Sequence, residues 1–414
     1  MSQQPTGRKK RILVFTLAPP LPPTSGGAMY VANSLVPLAD RYEFHLFTIG
    51  SEEDRAHVER NGDVYSRVFA SVHVEPRAEL PAHKRFLGRV LHVAVHAWHG
   101  LPFMDASYFS AAAVRNARRI IREKGIDALE IHTPHLAFFK RFAPDIPALL
   151  VSHNIESDLF PFWIPAGLRG PSRLAADFVA RISRRNARRV EIENAWGFKE
   201  MMFISEDDMR RVTAAVPKHY VPLCFPVQPV DYAAKRRDVC NALWLGGFWW
   251  HPNAEGVQWF LREIFPLVRP RLAQARLRFH FIGAGAPPEL TAIHDGRNVV
   301  VHGFVPSLSE LLADMHLLFV PLLSGSGVRV KILEAMSNGI PVLTTTKGCE
   351  GLGAVDGVHV VIRDQPGPFA DALVELAGDF GQRERLSLNA RALLTERFNL
   401  GPYLAVKDGI YARL

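Results

Sequence analysis

The chain has 414 residues, of which 48% are apolar and 22% charged, with a formal net charge of +8. This length exceeds what one hydrophobic core usually serves, and the apolar content is sufficient to fill two. The three cysteines, Cys224, Cys240 and Cys349, have no paired spacing, which excludes a disulfide or cysteine–metal framework and is expected in a reducing cytosol.

No segment predicts a transmembrane helix. The most apolar stretch, residues 86–103, contains Arg89 and three histidines, which are too many polar groups for a span of about 20 apolar residues. The charged N-terminus is followed by an apolar stretch that ends at Pro19-Pro20, unlike a signal peptide. We therefore expect a cytoplasmic protein.

The first half alternates apolar runs with helical patterns, which predicts parallel strands joined by crossover helices. After a first strand from Arg11, the loop PPTSGGA contains Gly26 and Gly27, which allow backbone to approach a phosphate or sugar without a Cβ clash. The alternative is that these glycines only shape a turn. A helix is predicted over residues 28–40, and further strands are predicted over residues 44–47, 128–131, 148–152 and 202–204.

Polar residues follow the strand predicted over residues 148–152, in the sequence HNIE from His153 to Glu156. Because ligands bind at strand ends in α/β sheets, we expect His153 to emerge at a binding site rather than in the core. A structural hydrogen-bonding role is the alternative. His132 and His135 form an HxxH pair, but no third ligand stands at a recognised spacing, so no metal site is predicted.

Much of the positive charge is concentrated in two segments of the chain. Five arginines recur at helical spacing within residues 172–196, namely Arg181, Arg184, Arg185, Arg188 and Arg189. Such a helix face can lie against anionic lipid headgroups, as can the basic residues Lys84, Arg85 and Arg89. The alternative is a solvated face on which Glu191 and Glu193 pair with the arginines. Nucleic acid is not an expected partner, because the sequence has no zinc motif, recognition helix or aromatic-interleaved basic strand.

Residues 223–239 carry prolines and charges without apolar periodicity, which predicts an interdomain linker. Strands are then predicted over residues 242–245, 277–282, 299–301, 317–320 and 341–343. A glycine-bearing loop with Gly247 follows the first of these strands. The sequence IGAGAPP after the second lacks the third glycine of a dinucleotide fingerprint and is a weak signal.

Residues 322–352 are the most informative stretch of the chain. A glycine-rich turn there opens a helix, and unpaired helix-terminal N–H groups with the helix dipole favour an anion. Two cations add to the positive electrostatic potential of the helix N-terminus. A carboxylate further along the helix can accept hydrogen bonds from ribose hydroxyls. An ordinary amphipathic helix explains the apolar residues but not these charges. The turn and charged residues are Gly325, Ser326, Gly327, Arg329, Lys331 and Glu334.

Within this stretch, KILEAMSNGIPVLT (residues 331–344) and GCEGL (residues 348–352) resemble the donor-binding signature of the retaining glycosyltransferases of family four, the glycosyl transferases group 1. The resemblance spans most of the chain and implies an α/β GT-B fold, with two Rossmann-like domains whose parallel sheets face across a cleft. The implied organisation is an acceptor-side domain over residues 1–222, the linker over residues 223–239, a nucleotide-sugar donor domain over residues 240–395, and a helix over residues 396–414 that packs back on the first domain.

The resemblance also implies roles for individual residues. Arg329 and Lys331 are expected to stabilise the departing diphosphate, and His153 to hydrogen-bond the transferred sugar or orient the acceptor, which makes these three the candidate catalytic residues. Family members often have a glutamate where this chain has Ser326, and this departure puts the sugar and the activity in question. The expected donor-binding residues are Gly26, Gly27, Gly247, Val305, Leu308, Gly325, Ser326, Gly327 and Glu334.

The implied reaction is the transfer of a sugar, with retained configuration, from a nucleoside-diphosphate sugar to a hydroxyl of a glycan or lipid-linked saccharide in cell-surface polysaccharide synthesis. No cofactor is expected, and no metal is required. Besides donor and acceptor, an anionic membrane surface is a candidate partner, which would place the protein peripherally on the inner face of a membrane. The alternatives are a GT-B nucleotide-sugar epimerase and a noncatalytic nucleotide-sugar binding scaffold.

Overall fold

The computed structural model describes residues 8–23, 25–77, 108–158, 169–225, 227–232, 235–305, 308–325 and 328–414. The chain divides into two compact units. Unit 1 comprises Met1–Leu223 with Gly401–Leu414, and unit 2 comprises Cys224–Leu400.

Unit 1 contains a seven-stranded parallel sheet with the strand order β3-β2-β1-β4-β5-β6-β7. The interior strand β1 is buried on both faces, which explains its continuous apolar sequence ILVF. The strands are β1 (Arg11–Thr16), β2 (Glu43–Gly50), β3 (Phe69–Pro76), β4 (Ala128–His132), β5 (Ala148–Ser152), β6 (Glu200–Phe203) and β7 (Lys218–Tyr220).

The helices of unit 1 begin at serine caps in four cases, where a side-chain oxygen accepts a hydrogen bond from a backbone N–H of the first turn. Short 3-10 turns lie at Val36–Leu38, Pro134–Leu136 and Glu156–Asp158. The helices are α1 (Gly26–Leu35), α2 (Glu52–Arg60), α3 (Gly62–Ser66), α4 (Ala111–Lys124), α5 (Phe138–Phe142), α6 (Gly170–Glu191) and α7 (Glu206–Arg210).

Unit 2 contains a six-stranded parallel sheet with the strand order β10-β9-β8-β11-β12-β13. Its core is rich in aromatic rings, with Trp244, Phe260, Phe279 and Phe319 among the fully buried residues. The strands are β8 (Cys240–Leu245), β9 (Leu277–Ile282), β10 (Val299–Gly303), β11 (Leu317–Val320), β12 (Val342–Thr344) and β13 (Val361–Ile362).

The helices that follow these strands complete unit 2, and the last helix of the chain returns to unit 1 from Gly401. A π-helical segment at Phe260–Ile264 and a 3-10 turn at Arg269–Arg271 interrupt the first crossover. The helices are α8 (His251–Trp259), α9 (Phe265–Val268), α10 (Leu272–Ala275), α11 (Pro288–Ala292), α12 (Ser309–Ala313), α13 (Val330–Ser337), α14 (Thr346–Cys349), α15 (Pro366–Gly378), α16 (Phe380–Arg397) and α17 (Leu400–Arg413).

The two parallel sheets confirm the predicted fold class. The predicted helix over residues 28–40 is too long, because α1 gives way to a 3-10 turn where Pro37 cannot donate a backbone hydrogen bond. Strands β3, β7 and β13 are not predicted from the sequence. The basic residues Lys84, Arg85 and Arg89 lie outside the described residues.

A buried ion pair joins α17 to β4. The Nζ atom of Lys407 donates to a carboxylate oxygen of Glu130 at 2.9 Å, and the Tyr411 hydroxyl donates to the other oxygen. The side chains of Glu130 and Lys407 are both inaccessible to solvent. Burial raises the pKa of Glu130, but Lys407, His132 and Tyr411 more than offset burial and lower the pKa to about 2. Glu130 is therefore a fully charged carboxylate inside unit 1.

We expect Lys407→Met to lower the free energy of unfolding by about 3 kcal/mol at neutral pH, because it leaves a buried charge without its partner. Urea denaturation followed by circular dichroism measures this change. The deficit should shrink as the pH falls from the ordinary carboxyl value of 4.5 toward 2, where Glu130 loses its charge in the folded state. The matched variant Lys407→Met/Glu130→Gln should be more stable than Lys407→Met, and equal stability would contradict the ion-pair account.

Candidate functional site

The strand order of unit 2 reverses between β8 and β11, which are neighbours although they are not consecutive in sequence. The loop after β8 contains Gly246 and Gly247, and the loop after β11 leads to α13. In open parallel sheets, such a reversal leaves a crevice at the carboxyl ends of the strands, where ligands bind. We therefore expect the predicted donor-binding residues of unit 2 to lie at this edge of the sheet.

Lys331, in the first turn of α13, reaches the loop after β8. Its Nζ atom donates to Oδ1 of Asn253 at 2.8 Å and lies 4.9 Å from the ring centroid of Trp244. Asn253 in turn donates to the carbonyl of Gly247 at 2.9 Å. A Cβ atom on Gly246 would lie 2.9 Å from the same Nζ atom, and the φ angle of +141° at this residue also favours glycine. The ammonium group is thus fixed against the glycine loop.

The environment of Lys331 changes its protonation. Burial, and then repulsion from Arg329, lower the pKa of Lys331 to about 7. A lysine in this state is only partly charged at neutral pH. An anion bound beside it would restore the charge, because an opposite charge favours the protonated form.

Arg329 precedes α13 as its N-cap residue. Its Nη2 atom donates to the carbonyl of Lys347 at 3.3 Å, and a Cβ atom on Gly325 would lie 3.4 Å from it. Gly325 has a φ angle of +101°, which side chains other than glycine rarely adopt. The structure thus brings Arg329 and Gly325 together, whereas Ser326 and Gly327 lie outside the described residues.

Glu334 lies one turn beyond Lys331 on α13 and is partly buried. Burial raises the pKa of its carboxyl group. Among the described residues, its carboxylate forms no hydrogen bond or ion pair. A half-buried carboxylate in this state gains from hydroxyl donors supplied by a ligand.

Val305 and Leu308 follow β10, which is two strands from β8 in the sheet. The backbone links the intervening loops, since Gly283 N–H donates to Gly303 O and Gly246 N–H donates to Ile282 O. No hydrogen bond or ring contact of the described residues joins Val305 or Leu308 to Lys331. Their role in binding a base therefore stays a prediction.

In unit 1, the structure brings Gly27 and His153 together. Gly26 and Gly27 are the first two residues of α1, and a Cβ atom on Gly27 would lie 3.6 Å from Nδ1 of His153. His153 follows β5, and the ring of Tyr30 contacts it edge-on with centroids 5.2 Å apart. The residues predicted after β1 and β5 thus form one cluster.

His153 is the end of a chain of hydrogen bonds that leads into the core. Its Nε2 atom lies 3.0 Å from Nδ1 of His132, and Nε2 of His132 lies 2.6 Å from Glu130. Burial lowers the pKa of both imidazoles, and that of His153 falls to about 3. Both rings are therefore neutral at physiological pH.

Glu191, the last residue of α6, fixes the loop after β5. The Glu191 carboxylate accepts hydrogen bonds from the backbone N–H groups of Glu156 at 2.8 Å and Ser157 at 3.2 Å. His135 lies 3.4 Å from a carboxylate oxygen of Glu156. The two histidines of the HxxH pair therefore face different partners, His132 in the core and His135 at the loop.

Sequence reasoning missed several residues of these clusters. Asn253 could have been found as an amide in the first turn of the helix after a Gly-Gly loop. Glu130 could have been found as a carboxylate within an otherwise apolar strand. No sequence pattern identifies Lys407 and Tyr411, because their partner Glu130 is more than 270 positions away in the chain.

Within the described ranges, no group of three or more histidine, cysteine, aspartate or glutamate side chains is arranged to hold a metal ion. None of the helices in the described part of the chain combines the length and the apolar character that crossing a membrane requires.

Comparison with known proteins gives one curated relative and many structural neighbours. An uncharacterized 44.6 kDa protein in the cps region of Klebsiella pneumoniae is 28% identical over 210 residues, which are 49% of this chain and 53% of that protein. The match thus spans about half the length of this relative.

Solved structures match over almost the whole chain. Alr3699/HepE from Anabaena, in complex with UDP-glucose, has a TM-score of 0.63 at 14% identity and covers 98% of this chain and 100% of that chain. Sucrose-phosphate synthase from Thermosynechococcus elongatus has a TM-score of 0.65 at 14% identity, and the match covers 98% of this chain and 99% of that chain. At this identity the neighbours show the fold alone.

The family model for glycosyl transferases group 1 matches residues 240–379, which contain Lys331 and its neighbours Gly246, Asn253 and Arg329. Residues 240–379 are thus similar to the glycosyl transferases group 1, and the two parallel sheets have the GT-B fold.

Proposed function

We propose that the protein transfers a sugar from a nucleoside-diphosphate sugar to a hydroxyl acceptor with retained anomeric configuration. The observation that carries the proposal is Lys331, an ammonium group fixed by Asn253 against Gly246 at the reversal of strand order. Such a group suits the diphosphate of a donor. The match to the group 1 family over the same residues supports this function.

In the proposed reaction, the bond between the sugar C1 atom and the phosphate oxygen breaks, and the acceptor oxygen bonds to C1 on the same face. The acceptor proton passes to the departing phosphate oxygen. Arg329 and Lys331 stabilise the charge that develops on the diphosphate, which is electrostatic catalysis by preorganised groups. These cations take the role that a metal would otherwise fill, so we propose that no metal is required.

Glu334 is proposed to accept hydrogen bonds from the ribose hydroxyls, and His153 to bind a hydroxyl of the sugar. The relative from a cps region supports an acceptor in cell-surface polysaccharide synthesis, either a glycan or a lipid-linked saccharide. HepE was solved with UDP-glucose, which makes UDP and UDP-glucose the first ligands to test.

We expect calorimetry with UDP, GDP and ADP to detect binding of one nucleotide, and Glu334→Ala to weaken it by about 10- to 100-fold, as for the loss of charged hydrogen bonds. The exposed Glu263→Ala is the matched control and should leave the affinity unchanged. Product analysis by NMR with the matching sugar nucleotide then identifies the reaction.

Three outcomes separate the candidate functions. Transfer to an added acceptor with a retained anomer supports the proposal. Conversion of the sugar nucleotide without an acceptor identifies an epimerase, and binding without turnover of any donor identifies a scaffold. Failure of all three nucleotides to bind would overturn the nucleotide-sugar site itself.

The low pKa of Lys331 predicts that UDP binds with uptake of a proton. The free pKa of about 7 should rise when the diphosphate binds, so affinity is highest below pH 7 and falls as the pH rises. Between pH 7 and about 8.5, where the phosphates are already charged, we expect a loss of about tenfold. Calorimetry across this range should show the loss in wild type and in the control variant Lys235→Met, which replaces a partly buried lysine elsewhere in unit 2, but not in Lys331→Met. A pH-independent wild type would contradict this prediction.

A lipid-linked acceptor lies in a membrane, and one face of α6 has the properties of a membrane-binding surface. Leu174 and Phe178 are 72% and 65% exposed, and they continue along the helix into the exposed arginines Arg181 and Arg185. At 100° per residue, these four side chains lie within about 60° of one another around the helix axis. Apolar groups beside cations are typical of helices that lie on anionic membranes.

The solvated-face alternative assigned Glu191 and Glu193 as partners of the arginines. For Glu191 this assignment is wrong, because its carboxylate is buried and bonded to the backbone of Glu156 and Ser157. In the described part of the chain, none of the five arginines predicted from the sequence pairs with a carboxylate. We propose that this face of α6 binds anionic lipid.

We expect Arg181→Glu/Arg185→Glu to weaken binding to phosphatidylcholine vesicles with about one third phosphatidylglycerol by more than about 30-fold, since each cation near the surface contributes about 1 kcal/mol. Vesicle sedimentation measures this binding. The matched control Arg262→Glu/Arg269→Glu makes the same charge change on exposed residues of unit 2 and should bind normally. Equal losses in both variants would show that net charge, rather than this face, determines binding.

A further inference from the structure

We infer that Glu255 of α8 is a positioning residue for Arg329. By accepting a hydrogen bond from Ser324, Glu255 fixes the glycine-rich turn at Gly325, and the Arg329 guanidinium is thereby held where the diphosphate of a donor binds. The identity of this ligand rests on the proposed function, whereas the positioning rests on contacts within unit 2 alone.

One face of α8 contacts the chain that leaves β11. Glu255 and Gly256 lie three and four positions after Pro252, so these residues share one side of the helix. Glycine inside a helix is destabilising relative to alanine, but here a Cβ atom on Gly256 would lie 2.5 Å from the carbonyl oxygen of Pro321. The absence of a side chain therefore lets the helix and the start of the turn come into close contact.

The hydrogen bond between Ser324 and Glu255 fixes the next part of this segment. The Ser324 hydroxyl donates to Oε2 of Glu255, and both residues are half-buried. Within the described ranges, no lysine, arginine or histidine pairs with this carboxylate. Since a hydrogen bond to a charged acceptor is stronger than one between neutral groups, Glu255 can hold the loop firmly.

Gly325, the next residue, depends on such an anchor. Its φ angle of +101° is rarely adopted by other residues, and glycine loses more backbone freedom on folding than any other residue. A Cβ atom at this position would lie 3.2 Å from Cγ of Pro252 and 3.4 Å from Nη2 of Arg329. The backbone of Gly325 therefore lies next to both the Pro252 ring and the Arg329 guanidinium.

The same helix supports the second cation of the site, since Asn253 accepts a hydrogen bond from Lys331. Neighbouring residues of α8 thus determine the position of Lys331 and of the turn beside Arg329. Cations stabilise a diphosphate most when they are in place before it binds, because no reorganisation is then needed. Glu255 can therefore contribute to binding an anion that it does not itself contact.

Relaxation of backbone nitrogens, measured by NMR, tests the positioning without any ligand. In the full chain labelled with 15N, we expect the order parameter of the Gly325 amide to be about 0.85 in wild type and to fall toward about 0.6 in Glu255→Ala and in Ser324→Ala. Glu255→Gln should resemble wild type, because its amide oxygen can still accept from Ser324. Unchanged values in both alanine variants would overturn the inference.

Calorimetry with the nucleotide that binds among UDP, GDP and ADP tests the consequence for the ligand. We expect Glu255→Ala and Ser324→Ala each to weaken binding by about tenfold, and the combined variant to lose no more than either, because both remove the same contact. Glu255→Gln should stay within about threefold of wild type, as should the exposed control Glu263→Ala. If Glu255→Gln loses as much as Glu255→Ala, the bond to Ser324 is not the cause, and the inference fails.

An Arg329→Met background tests whether Glu255 acts through Arg329. In this background, Glu255→Ala should have no further effect on the affinity, since the guanidinium that Glu255 positions is absent. A further loss of about tenfold would show that Glu255 acts independently of Arg329 and would overturn the inference.

The measurement without ligand separates this inference from the proposed function. If wild type binds none of the three nucleotides, the proposed function fails, and the order parameters of Gly325 alone decide the positioning. If wild type binds one of them and both alanine variants bind it equally well, the proposed function stands and the inference fails.

Discussion

The charge of Glu130 is the constraint on which unit 1 depends. A carboxylate in the middle strand of a sheet, without access to water, is tolerated only because Lys407, Tyr411 and His132 all donate to it. The same group thus attaches the last helix to the sheet and orients the histidines at the end of β4 and β5. Stability and site geometry in this unit have a common origin.

In unit 2, the main constraint is the placement of the Lys331 side chain at the carboxyl end of the parallel sheet. Lys331 emerges from the first turn of α13, crosses to the loop after β8 and lies over Trp244. Burial, and then the neighbouring Arg329, lower the pKa of Lys331, so an anion placed beside this lysine would favour its charged form. The positive φ angles of Gly246 and Gly325 favour glycine, and a Cβ atom on Gly246 would also come within 3 Å of Asn253 and Lys331.

The sequence predicted most strands of both sheets, because buried parallel strands are continuous apolar runs. It did not predict β3, whose exposed positions break the apolar pattern, or the short strands β7 and β13. At the candidate site, Lys331 could be singled out because it follows a glycine-rich turn at the start of a helix and lies in the motif that resembles the family. The partners of His153 were not, since pairing across the sheet and with α17 is a property of the folded chain.

The return of α17 to unit 1 also determines when this unit can be completed during biosynthesis. Residues 224–400 of unit 2 are translated before Lys407 and Tyr411 leave the ribosome. Until then, Glu130 has no cation beside it, and β4 would have to bury an uncompensated charge. Unit 1 therefore acquires its last helix only after residues 224–400 have been synthesised, so unit 2 can fold while unit 1 still lacks α17.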